Sequence, residues 1–66
     1  MEILNKIKEH LDLVGKDVKN YHYKIIFDGK FWYYQVHGDP LNGEEDYIEG
    51  DAETLREIYS MIKEEF

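Results

Sequence analysis

Hydrophobic positions change their period along this chain, and each change marks an element. From Glu2 to Val14 the apolar residues Ile3, Leu4, Ile7, Leu11 and Val14 recur at helical spacing, which predicts an amphipathic helix. Glu2 suits the positive end of the helix dipole, and Gly15 stands where a C′ residue adopts the left-handed conformation and ends the helix. Lys16 to Asn20 is polar and too short for another regular element.

The period then falls to two. Tyr21 to Phe27 and Lys30 to Val36 are aromatic and β-branched runs joined at Asp28-Gly29, a pair that suits a two-residue type I′ hairpin turn. That turn pairs Phe27 with Lys30, Ile25 with Trp32, Tyr23 with Tyr34 and Tyr21 with Val36 on one face. Ile26/Phe31, Lys24/Tyr33 and His22/Gln35 fall on the other. The segment from His37 to Glu45 holds the only proline and two glycines and reads as a long loop with turns. Asp46-Tyr47-Ile48-Glu49 reads as a third strand, with one of Tyr47 and Ile48 directed to the core. Helical spacing returns at Leu55, Ile58, Tyr59, Ile62 and Phe66, with Asp51 as the expected N-cap and the helix running to the C-terminus.

These elements predict one α+β domain over 1–66, ordered α-β-β-β-α. A helix precedes an antiparallel hairpin extended to a three-stranded meander, a C-terminal helix follows, and both helices pack on one sheet face. The expected core joins Tyr23, Ile25, Phe27, Trp32, Tyr34 and Val36 to Ile3, Ile7, Leu11, Leu55, Ile58, Tyr59 and Ile62. A chain of 66 residues buries only about 60% of its unfolded surface, so each large apolar side chain counts, Trp32 among them.

Composition changes the picture through charge. The net charge is −7, but residues 1–30 sum to +1 and residues 31–66 to −8. From Glu44 to Glu53 six positions are acidic and none is basic: Glu44, Glu45, Asp46, Glu49, Asp51 and Glu53. Such a segment disfavours direct nucleic-acid contact, because phosphates are bound by Lys and Arg. There is no cysteine, hence no disulfide or thiolate metal site. No apolar run is long enough to span a membrane and the first residues lack a signal-peptide pattern, which makes a cytoplasmic protein the expectation.

Candidate chemistry is sparse. Thr54 and Ser60, the only hydroxyls outside tyrosine, have no histidine or glycine-rich elbow beside them, so no catalytic residue is expected and an enzyme is not. His22 and His37 fall diagonally on one sheet face with Gln35 and Asp39 as the nearest further ligands, too few for a metal site. His10 belongs to the polar side of the first helix. The stretch from Asp39 to Glu44 lacks the alternating oxygen ligands of a calcium loop. Neither cofactor nor metal is expected.

What the core leaves over is the second sheet face, where Ile26, Phe31 and Tyr33 make an apolar spot ringed by His22, Lys24 and Gln35. Exposed patches of this kind mark interfaces. Together with the acidic segment this points to a small interaction module that binds a basic, nucleic-acid-handling protein and inhibits or regulates it, its carboxylates standing where phosphates would sit. The alternative is a self-associating, homodimeric structural or accessory domain whose acids only solvate it.

Overall fold

A computed structural model describes residues 2–66. The chain forms α1 (Glu2–Val14), β1 (His22–Phe27), β2 (Trp32–Asn42), β3 (Glu45–Ala52) and α2 (Leu55–Glu65), an α-β-β-β-α order. The strands make one antiparallel sheet in the order β1-β2-β3, so β1 and β3 are its two edges.

The core lies between the helices and one sheet face. Ile7 and Leu11 of α1 and Leu55, Ile58 and Ile62 of α2 are buried against Tyr34, Val36 and Leu41 of β2 and Ile48 of β3. Each helix therefore buries one stripe and leaves its charged side in water. Ile48 is inside and Tyr47 outside, as alternation along a strand requires.

The hairpin turn differs from the expected one. Phe27 pairs with Trp32, Ile25 with Tyr34 and Tyr23 with Val36, so Asp28, Gly29, Lys30 and Phe31 all lie in the connection. A type I′ turn needs positive φ at both central residues, and here Gly29 has φ 101° while Asp28 stays on the negative side. Asp28 instead uses its carboxylate: Oδ1 accepts the N–H of Lys30 at 2.9 Å and of Phe31 at 2.7 Å. The Asp28 N–H donates to the Phe31 carbonyl at 3.1 Å, which closes the wider loop. The register slips by two residues, an even number, so every side chain that remains in the paired strands keeps its expected face, while Lys30 and Phe31 leave the ladder for the turn.

The expected loop from His37 to Glu45 is mostly strand. β2 runs on to Asn42, which pairs with Glu45 across a turn at Gly43 and Glu44, with Gly43 at φ 63°. Pairing is interrupted between His37 and Asn42, where β2 has the extra residues of a bulge. Asp39-Pro40, joined by a cis peptide, lies in that bulge, a position where the missing N–H of proline removes no ladder bond. Gly38 is closely packed in the same stretch, since a Cβ there would meet Val18 Cγ1 at 2.5 Å, and Leu41 beyond it joins the core.

Helix α2 also begins later than expected. Asp51 is in β3, opposite Tyr33, and the N-cap is Thr54, whose Oγ1 accepts the Glu57 N–H at 3.2 Å. Its hydroxyl lies 3.3 Å from Glu57 Oε1 and donates to it, so Thr54 and Glu57 meet through the N-cap bond and a side-chain hydrogen bond.

Three further expectations change. Gly15 does not take a positive φ; Asn20 does, at 55°. Gly15 is needed because the Tyr21 ring lies against its Cα, where a Cβ would fall onto Cδ2 and Cε2 of the ring. Tyr21 in turn donates its hydroxyl to the Leu11 carbonyl, which also accepts the Gly15 N–H in the last turn of α1. Tyr23 follows the same route and donates to Asp12 Oδ1 at 3.0 Å. His10 is half-buried rather than solvated, and its Nε2 is buried with no hydrogen-bond partner.

Phe27, placed in the expected core, is 50% exposed. It lies at the hairpin end of the helix-facing side and packs on Trp32, ring centroids 4.7 Å apart. Trp32 is itself only partly buried, so removing its side chain costs less than the about 3–5 kcal/mol of a fully buried aromatic.

Candidate functional site

The sheet face turned away from the helices carries the remaining chemistry. Its side chains form rows across the three strands, set by the register: Ile26–Tyr33–Asp51, Lys24–Gln35–Glu49 and His22–His37–Tyr47. Ile26 is 44%, Tyr33 36% and Tyr47 37% exposed. Columns run the other way, and they sort charge. β1 presents His22, Lys24 and Ile26, β2 presents Tyr33, Gln35 and His37, and β3 presents Tyr47, Glu49 and Asp51.

Several side chains are held in place. Asp28 Oδ2 accepts the Tyr33 hydroxyl at 3.1 Å, so the turn carboxylate fixes the central aromatic of the face. The backbone N–H groups of Phe31 and Lys30, with the Tyr33 hydroxyl adding to them, hold the Asp28 carboxyl below its ordinary value. The Tyr33 phenol moves up for the reciprocal reason, first through its bond to Asp28, then through partial burial and the charges of Asp28 and Asp51. Tyr47 donates its hydroxyl to Glu49 Oε2 and steadies that carboxylate over the face.

At the far row the His22 and His37 rings stack, centroids 4.4 Å apart and planes 7° from parallel. His37 also meets Tyr47 at 4.5 Å and 45°. The two histidines are thus directly opposed rather than diagonal, a consequence of the two-residue slip at the turn. His22 Nδ1 lies 3.2 Å from the Asn20 carbonyl, within hydrogen-bond reach. Parallel stacked imidazoles direct their lone pairs along separate planes, which does not converge on one ion. Among the described residues no group of three or more His, Asp or Glu is placed to hold a metal.

The six acids of the sequence do not form one cluster. Glu49 and Asp51 reach the open face beside Tyr33, and with Gln35 they border an open depression of about 380 Å³ floored by Gly50 and Tyr34. Glu45 opens β3 opposite Asn42 and Glu44 lies in the preceding turn. Asp46, exposed, alternates to the same side as Ile48, and Glu53 lies in the connection to α2. Of the expected apolar spot, Ile26 and Tyr33 are neighbours across β1 and β2. Phe31 is half-buried in the turn, with Lys30 Nζ 5.6 Å from its ring centroid.

This arrangement offers carboxylates, amide and phenol groups and aromatic surface to another molecule. Of the two aliphatic hydroxyls, Thr54 is committed to the α2 cap and Ser60 is exposed on α2. Among the described residues no helix is long and apolar enough to cross a membrane. No protein-family model, no curated protein and no solved structure matches the chain.

Proposed function

We propose that this chain is a small cytoplasmic binding module, without enzymatic activity or cofactor, that docks its open sheet face on a basic, nucleic-acid-handling protein and inhibits or regulates it. The observation that carries the reading is the column of Glu49 and Asp51 on β3 beside the exposed Tyr33 and Ile26. Two carboxylate residues two positions apart on a strand, their Cα atoms about 6.7 Å apart, can stand like successive phosphates along a backbone. The aromatic and apolar groups next to them supply the contact area that charge alone lacks. Attraction between this acidic column and Lys or Arg steers the encounter and weakens as salt screens it.

The test is capture from a lysate at about 50 and about 500 mM salt, followed by competition with nucleic acid on the captured protein. Binding is expected to fall steeply with salt, to exclude nucleic acid, and to be lost in Glu49→Lys/Asp51→Lys. Asp46→Lys, on the other side of β3, is expected to bind as the parent does. Salt-independent binding, simultaneous binding of nucleic acid, or equal loss in Asp46→Lys would overturn the proposal.

A further inference from the structure

We infer that the open sheet face also docks a second copy of this chain, about a twofold axis running along β2. Charge order across the three strands favours it. A twofold along the central strand turns the second sheet over so that its β3 lies above β1 of the first, while each row stays over its own row. Lys24 then faces Glu49 of the second copy, and Glu49 faces the second copy's Lys24, since both belong to the row Lys24–Gln35–Glu49. Gln35, on the axis, meets its own copy, and an amide side chain is its own hydrogen-bond complement, one carbonyl acceptor and one NH₂ donor on each side. His22 comes over the second copy's Tyr47, and Asp51 falls against Ile26 with Lys24 one row away.

The other in-plane twofold, perpendicular to the strands and through the same row, sets Lys24 against Lys24 and Glu49 against Glu49. Like charges in direct opposition rule that arrangement out and leave the first. Facing sheets pack with strands nearly aligned, about 30° apart, and rotation displaces side chains near the axis least. The central row is therefore the one whose pairing survives the twist. Tyr47, by bonding Glu49 Oε2, holds the carboxylate where this contact needs it.

Three short strands present less than the about 800 Å² a side of a standard interface, so the dimer is a weak one that forms at high protein concentration. The second copy occupies the face proposed above for a basic partner and has to leave before that partner docks. Self-association does not depend on the partner reading, because it is measured on the purified chain alone.

Sedimentation equilibrium from about 10 µM to about 1 mM at low salt is expected to show a concentration-dependent dimer. Lys24→Glu and Glu49→Lys each weaken it at least about tenfold, and the double variant Lys24→Glu/Glu49→Lys returns it to within about threefold of the parent. Both side chains are exposed, and circular dichroism melts matching the parent establish that the variants fold. Capture of a basic partner is not restored by the swap, so the two readings fail separately. A monomer at every concentration, a dimer indifferent to both single substitutions, or a double variant no better than the singles overturns the inference.

Discussion

Replacing Gly15 by Ala separates two physical roles for that residue. If Gly15 were a left-handed cap, Ala would cost about 1 kcal/mol whatever its neighbours are. The backbone there is not left-handed, and the obstacle is the Tyr21 ring lying on the Cα. An added methyl must push the ring away, an overpacking cost of about 1–3 kcal/mol. Moving the ring also puts at risk the Tyr21 hydroxyl bond to the Leu11 carbonyl, about 0.5–1.5 kcal/mol. Against this stands the smaller unfolded-state entropy of Ala, about 0.4–1 kcal/mol in its favour.

The net expectation is a loss of about 1–3 kcal/mol. A 66-residue domain has roughly 3–10 kcal/mol in all, and each kcal/mol lowers the melting temperature by about 4–8 °C. In a Tyr21→Ala background the ring is gone, and Gly15→Ala is expected to be neutral or to stabilise. A double-mutant cycle by urea denaturation, followed through Trp32 fluorescence, should therefore show a coupling of about 1–3 kcal/mol between the two sites. Equal cost in both backgrounds would refute the steric account and restore the conformational one.

Core depth should grade the helix substitutions: Ile58→Ala, at a fully buried position, is expected to cost about 2–5 kcal/mol and to leave the chain largely unfolded at 37 °C. Leu13→Ala, at a position 71% exposed on α1, should change urea stability by less than about 0.5 kcal/mol, and a larger loss would mean that α1 packs differently. The Asp28 carboxyl should titrate below the ordinary value of 3.8, read from the Lys30 and Phe31 amide shifts. Because its folded value lies below the unfolded one, its contribution to stability is present above about pH 4 and is lost as pH falls through the folded value. A midpoint at or above 3.8 would show that those N–H bonds do not form in solution.

Where a candidate site could be read in advance, local chemistry was enough, and the reason is periodicity. The α1 stripe from Ile3 to Val14 matched the helix Glu2–Val14, because 3.6-residue spacing has one compact solution. The faces of the hairpin were also legible, and with them the exposure of Ile26 and Tyr33, since alternation is insensitive to an even slip. The Thr-x-x-Glu spacing of Thr54 and Glu57 was a signal for the N-cap in plain view, overshadowed by Asp51, which is equally suited to cap a helix until its pairing with Tyr33 is known.

What the amino-acid order determined by itself, then, is which residues alternate, which stripe together, and that charge is divided between the two halves of the chain. Tertiary structure decided the rest, because it turns on partners distant in sequence. Whether His37 to Asn42 is loop or strand depends on β3 being there to accept the ladder, and on a bulge that absorbs Asp39-Pro40. Gly15 is fixed by a ring six residues away, and Phe27 is exposed because the helices do not cover it. The rows that set Lys24, Gln35 and Glu49 side by side exist only once two hairpins share one register. A strand's pattern selects its face, but only pairing selects its neighbours.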